Sequence, residues 1–534
     1  MSLNRSVASF SAMTLISRVL GLVRDVTLSR VFGASAATDA FFVAFKIPNF
    51  LRRLFAEGSF SQAFVPVLAE YRQRGDHAEL KALIDAVTGG LLAVLMLLTA
   101  LMMLFAPELI SVLAPGFADQ PEQRRLAGDL LRITFPYLPL IALTALAGGI
   151  LNTLGRFALP ALTPALLNLA LITAALVFSG RFEQPVEALA WGVLAAGLLQ
   201  LAIQLPALAR HGLLPRPRIR FTHPGVRRVL RLMAPTLFGS SVAQLNLLLD
   251  VLLASLLAEA SISWLYYGDR LMEFPLGLFG VALSVVVLPS LAALHARADR
   301  GAFIRVLDWS VRMGLVVALP AMCGLVLLAG PIVTTLFDYG RFDDRDVAMA
   351  ALALSSYCLG LPAFIGVKIL APAFFARQDA VTPVRIGLIA IASNMVLNVV
   401  FVLAITHWFA GGDWSGGLLY TLGAHPGAHA GLALASGTSA WLNAGLLWRC
   451  LSREGLAPRF PWRTLVQVVL ACVAMTGLLW MITPVHTAWL DHGLWWRVGW
   501  LAALVIGGMA CYALVCLTLG LRPAELLHRP DPNG

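Results

Sequence analysis

Seven basic side chains lie inside or at the rims of long apolar runs: Arg18, Arg24, Lys46, Arg52, Arg53, Arg270 and Lys368. A charge at the centre of a bilayer costs about 2.5–3.5 kcal/mol on insertion scales. Several in one chain need a polar cavity to shelter them, and a cationic cavity within a membrane takes an anionic cargo. The choice of side chain narrows the chemistry. The chain holds 36 Arg and three Lys. Guanidinium grips phosphate oxygens through a planar fork and stays charged when desolvated. Arg18, Arg24, Arg52 and Arg270 form a set suited to a pyrophosphate.

Acids stand near these bases. Arg18 and Asp25 are seven apart, two helical turns, and share a face, with Arg24 about 100° round the helix from Asp25. Gly21 between them loosens that helix. Asp39 and Lys46 open the second apolar run, Pro48 breaks it, and Arg52, Arg53 and Glu57 follow, with Arg53 and Glu57 as i,i+4 neighbours. Asp269, Arg270 and Glu273 precede Pro275. Asp25, Asp39, Glu57, Asp269 and Glu273, with Arg53 and Lys368, are read as gate or cavity ion pairs that hold the arginines when cargo is absent. The competing account is that these charges pair only to fix helix packing. Buried pairs seldom gain stability over apolar packing, which favours function for Arg18 and Arg24. Lys368 is alone in its span, and its long stem can reach the interface.

A second polar set is Asp250, Asn394, Asn398 and Ser436, with the two asparagines i,i+4. Oxygen ligands of this kind suit Na⁺ or a proton relay. Asparagine in apolar helices also serves interhelical hydrogen bonding, so the coupling species, Na⁺ or H⁺, stays open. No cofactor is expected and no metal site is assigned. The six cysteines form no CxxC pair, and Pro426 and Gly427 keep His425 and His429 off one helical face. No HExxH, GxSxG or GxxxxGK[ST] occurs, so no enzyme activity is expected and ATP bound to this chain is not the energy source. The membrane potential, about 2.3 kcal/mol per charge per 100 mV, or an ion gradient remains.

The elements that must position these residues are membrane helices. Of 534 residues 59% are hydrophobic and 13% charged, against about 25% charged in soluble domains. Fourteen candidate spans lie near 10–32, 39–62, 84–105, 130–153, 160–179, 186–208, 229–256, 267–293, 311–336, 348–375, 384–405, 429–449, 465–483 and 495–519. Arg18, Arg24 and Asp25 in the first argue against a cleavable signal peptide. With the N-terminus inside, 24 of the 39 Lys and Arg fall in loops on that side and 8 on the other, Arg497 among the 8. This predicts a multi-pass protein with both termini in the cytoplasm. The net charge of +10 is thereby a membrane signal rather than one for nucleic acid. The most basic loop, 209–228, reads as a topology signal resting on anionic lipid headgroups. Loop 406–428 has no Lys or Arg and is expected outside, on the lipid interface.

The chain also repeats itself at about 225 residues. Asp25-Val26 matches Asp250-Val251, Ala34-Ser35 matches Ala260-Ser261, and Pro66 matches Pro289. This sets spans 1–6 over spans 7–12. Parallel repeats of this kind face each other across a transport cavity. The expected fold is all-α: fourteen transmembrane helices, two six-helix lobes around a central cationic cavity, and two extra C-terminal helices. The expected divisions are an N-lobe at 1–210, a basic cytoplasmic linker at 211–228, a C-lobe at 229–450, and the last two helices with a tail at 451–534.

Two runs are specific. SRVLGLVRDVTLSRVFGASAATDAFFVAFKIPNFLRRLFAEGSFSQAFVPVLAEY and WLYYGDRLMEFPLGLFGVALSVVVLPSL resemble the MurJ (MviN) lipid II flippases, of the multidrug/oligosaccharidyl-lipid/polysaccharide exporter superfamily, and the resemblance covers the whole chain. It implies two lobes in a V and an apolar groove for a lipid tail along spans 13 and 14. It implies lipid II, an undecaprenyl pyrophosphate bearing the peptidoglycan disaccharide-pentapeptide, as the cargo. The membrane would be the bacterial inner membrane, with membrane lipids and other cell-wall synthesis proteins as partners. The family's essential arginines fall on Arg18, Arg24, Arg52 and Arg270, and Asp39 also matches. Loop 406–428 is longer than the family pattern, and Asn398 stands where a second acid would have strengthened a cation site. The expected function is movement of lipid II from the cytoplasmic to the periplasmic leaflet by alternating access. The alternatives are a flippase for another polyprenyl-linked glycan, of O-antigen type, and a cation-coupled drug exporter.

Overall fold

The computed structural model describes residues 3–53, 60–411 and 414–521. All regular structure among the described residues is helical. Nine helices among them are long and apolar enough to cross a membrane: His77–Leu104, Pro121–Thr153, Ala158–Arg181, Glu187–Arg210, Arg300–Leu327, Asp344–Phe375, Val381–Phe409, Trp462–Ile482 and Leu494–Thr518. Each coincides with an expected span.

The other five expected spans are helical but more polar. They are Leu3–Phe32; Ala36–Arg52 with Phe60–Gln73; Pro224–Ser255; Ser261–Pro275 with the π-helical turn Leu276–Gly280 and Val281–Ala296; and His429–Arg453. Four of these are the first two helices of each sequence repeat. These four carry Arg18, Arg24, Lys46, Arg52, Asp250 and Arg270.

Local signals explain the ends. Ser35 and Thr38 form a reciprocal capping box at the start of Ala36–Arg52. Asp76 accepts the Ala78 and Glu79 N–H groups at the start of His77–Leu104, and Asp343 accepts the Asp346 N–H at the start of Asp344–Cys358. Gly33 ends the first helix at φ +66, and a Cβ there would lie 2.5 Å from the Arg341 carbonyl oxygen. Only glycine meets both conditions without strain.

The chain divides into two compact units, Met1–Ala260 with Tyr339–Arg341, and Ser261–Asp338 with Phe342–Gly534. The first holds a core that includes Phe60, Phe64, Leu83, Ile150, Leu208 and Val226. In the second, helices Leu361–Phe375 and His429–Arg453 cross so closely that a Cβ on Gly360 would lie 2.4 Å from the Gly437 Cα, the close approach small residues allow in membranes. Leu328, Met475, Leu479, Trp489 and Leu504 join the two C-terminal helices to the rest of this unit.

Arg497 departs from its expected place in an outer loop. It is 6% exposed, in the first turn of Leu494–Thr518. Its Nη2 lies 3.0 Å from Asp338 Oδ2. Its other donors reach the main-chain carbonyls of Trp489 (2.6 Å), His492 (3.0 Å), Asp338 (3.2 Å), Thr334 (3.4 Å) and Leu490 (3.4 Å). The guanidinium supplies donors to main-chain carbonyls around the ends of the short helices that meet here.

Candidate substrate-binding site

Leu3–Phe32 runs unbroken through Gly21, which faces Asn168 with room for an ordinary contact at 3.6 Å. The glycine permits close packing there instead of a bend. On this helix Arg24 and Asp25 are buried, at 6% and 4% exposure. Although adjacent residues point about 100° apart, the long arginine side chain curls back. Its Nε and Nη2 donate to Asp25 Oδ1 at 2.9 and 2.6 Å. Its Nη1 donates to Asn168 Oδ1 at 3.0 Å, and Asn168 Nδ2 donates to the Ser17 carbonyl at 3.0 Å. A buried cation thereby bonds a carboxylate and an amide, both on rotatable side chains. Arg18, on the same helix, is exposed and has no ion-pair partner among the described residues.

In Ala36–Arg52, Asp39 is buried in the first turn and Lys46 is half-buried. Arg52 is half-buried, and its Nε and Nη2 donate to Asn49 Oδ1 at 3.0 and 2.8 Å. Arg53 is half-buried and terminates the helix. Glu57, read as its partner, lies outside the described residues.

In the second unit, Ser261–Pro275 carries Asp269, Arg270 and Glu273. Arg270 Nη1 lies 2.8 Å from Glu273 Oε2, with the two side chains 36% and 44% exposed. Its guanidinium carbon sits 5.5 Å from the Tyr266 ring centroid, within cation–π range. Lys368 is exposed and makes no ion pair among the described residues.

Of the second polar set, three members meet within the second unit. Asn394 Nδ2 donates to Ser436 Oγ at 3.4 Å and to Ser439 Oγ at 3.5 Å, and Asn398 Nδ2 donates to Asn394 Oδ1 at 3.1 Å. Both asparagines are buried. Asp250 belongs to the first unit, where Asn246 Nδ2 donates to its Oδ2 at 3.3 Å.

Sequence reasoning missed three partners. Asn168 was visible as a lone amide in an apolar run. Asp85, near the start of a span and four residues after Lys81, is 5% exposed. Asp346, which accepts the Trp264 Nε1–H at 2.9 Å, resembled an ordinary first-turn acid. Beside it the His429 ring lies tilted against Trp264, 5.1 Å between centroids, and contacts the Met349 carbonyl through Nε2 at 3.0 Å, whereas His425 turns to the Thr421 carbonyl. The two histidines serve separate backbone groups.

A sequence model of the family described as lipid II flippase MurJ matches residues 28–498. A probable lipid II flippase MurJ of Vibrio cholerae is 44% identical over 97% of this chain and 96% of that protein. The lipid II flippase MurJ of Burkholderia cenocepacia is 42% identical over 90% of each. Among solved structures, lipid II flippase MurJ in an inward closed conformation superposes with TM-score 0.77 at 27% identity, covering 95% of this chain and 97% of that one. An inward-facing MATE-family multidrug transporter of the MOP superfamily superposes with TM-score 0.63 at 15% identity, over 84% and 98%, a likeness of fold alone. By the length and identity of these matches, the chain belongs to the lipid II flippase MurJ family.

Proposed function

We propose that this protein moves lipid II from the cytoplasmic to the periplasmic leaflet of the bacterial inner membrane by alternating access, for cell-wall synthesis. The observation that carries the reading is Arg24, a buried cation whose bonds to Asn168 and Asp25 are made to side chains that cargo oxygens can replace. On cargo entry, diphosphate oxygens take over the Asn168 bond and share the guanidinium with Asp25. The cation stays paired throughout, so neither state strands a buried ion. Arg18, Arg52 and Arg270 add donors that confine a planar diphosphate by bidentate contacts. The acids Asp25, Asp39, Glu57, Asp269 and Glu273, with Arg53 and Lys368, exchange partners as the gates open and close.

The reading includes fourteen transmembrane helices in two six-helix lobes around a cationic cavity, with both termini cytoplasmic. The polyprenyl tail stays in lipid along the last two helices. Asp250, Asn394, Asn398 and Ser436 are the proposed site through which Na⁺ or H⁺ couples to transport.

Conditional depletion tests the cargo. Lipid II reaching the cell surface is expected to fall on depletion and to return with the wild-type chain. Unchanged surface delivery after depletion would sink the reading. Native mass spectrometry of the purified protein separates it from transport of another polyprenyl-linked glycan, by the mass of the lipid retained.

A further inference from the structure

The segment between the Glu187–Arg210 span and the Pro224–Ser255 helix is fastened along its length. Asp85 on His77–Leu104 accepts the Arg216 N–H through Oδ1 at 2.7 Å, and its main-chain carbonyl accepts the Arg218 N–H at 3.0 Å. Two N–H groups two residues apart that turn to one residue require an extended backbone, so alternate side chains share a face. Gly89 and Gly90 let this strap lie against the helix. A Cβ on Gly89 would sit 2.3 Å from the Arg218 carbonyl, and one on Gly90 3.3 Å from the Phe221 ring. Lys81 pairs with Asp85, so the anchoring carboxylate is already neutralised and draws no strap guanidinium inward.

Arg216, Arg218 and Arg220 therefore stand at every second position of a fixed backbone, exposed and without an acidic partner among the described residues. Between and beside them Ile219 and Phe221 are 67% and 45% exposed. A cationic row interleaved with bare apolar side chains fits the boundary where phosphate groups overlie acyl chains. Its short tether to the end of a span keeps it near that depth. A soluble polyanion would satisfy the arginines and leave Ile219 and Phe221 uncovered.

We infer that the strap 216–221 is a binding surface for anionic phospholipid headgroups, distinct from the cargo arginines. The full-length protein in detergent, offered phosphatidylglycerol or phosphatidylethanolamine, is the test, with bound lipids counted by native mass spectrometry. The variant R216Q/R218Q/R220Q is expected to lose its phosphatidylglycerol preference by roughly tenfold or more, with phosphatidylethanolamine unchanged. R124Q/R125Q, an exposed pair elsewhere, is expected to keep it. I219S, which leaves every charge in place, is expected to weaken phosphatidylglycerol retention by a smaller factor, and it serves alone if the triple variant fails to fold. Full phosphatidylglycerol preference in a folded triple variant, or undiminished phosphatidylglycerol retention in I219S where the triple does not fold, overturns the inference. So does soluble polyphosphate binding wild type and I219S equally while displacing the lipid, which would make the strap a site for a soluble polyanion.

Discussion

Arg24 and Arg497 are equally buried, each 6% exposed, yet they are held by different things. Arg497 is fixed by five main-chain carbonyls and the Asp338 carboxylate. A main-chain carbonyl at a helix end cannot turn away unless the turn itself unfolds. Arg24 is held by the Asp25 and Asn168 side chains, which can change rotamer while the helices stay intact. Burial alone does not separate a structural arginine from a transporting one. The kind of partner does: main-chain partners make a rivet, and side-chain partners make a grip that can open.

The largest expected effect follows at Arg24. Two phosphate bonds at about 1.5–3 kcal/mol each predict that Arg24→Ala lowers lipid II delivery by about a hundredfold or more, with the protein inserted at normal levels. Arg24→Lys is expected to fail as well, since an ammonium lacks the planar fork. Complementation of depleted cells, read beside membrane abundance, measures both. Normal growth with Arg24→Ala would remove this residue from the cargo role.

Arg497→Ala is expected to act on stability instead. Removing one partner of a buried pair costs about 3–5 kcal/mol, and here Asp338 is left 15% exposed without its cation. Thermal unfolding in detergent should shift down by several degrees, while the protein that remains folded transports at the wild-type rate per molecule. A dead transporter with an unchanged Tm would break the contrast. Arg270 lies between the two cases. Its pair with Glu273 is over a third exposed, and such pairs contribute about 0–1 kcal/mol. Arg270→Ala should leave Tm within a degree or two and reduce transport sharply, which flux into liposomes would register.

Much of this was legible in the chain. Nine spans declare themselves by unbroken apolar length, because a bilayer tolerates few alternatives. Arg18, Arg24 and Arg270 are visible as charges where insertion is costly. What the chain does not display is partner choice. Asn168 lies 144 positions from Arg24, and nothing local joins them. Arg497 looks like any rim arginine next to Trp495 and Trp496, and only the folded turn around it brings five carbonyls within reach of its donors. Periodicity reports which face is buried, but pairing is a tertiary property that two distant helices settle between them.

The smallest effect sharpens the contrast by separating partner type from burial. Asp379 lies outside the spans, half-buried, and its Oδ1 accepts the main-chain N–H groups of Val381 and Thr382 at 3.1 and 3.0 Å. Bonds from the Thr382 hydroxyl and the Thr382 N–H, in that order, hold its carboxyl below the usual carboxylate range. Like Arg497 it grips main chain, but near the surface. The ionised form is the one that caps Val381–Phe409, so its stabilisation is complete above the ordinary pKa of about 3.9. It is lost as pH falls through the lowered folded value. Asp379→Ala should cost about 1 kcal/mol at neutral pH, and the difference in Tm from wild type should shrink on acidification below pH 4. A difference that stays constant down to pH 3 would mean the cap does not depend on charge. Transport at neutral pH should be unaffected, as expected of a main-chain partnership wherever it lies.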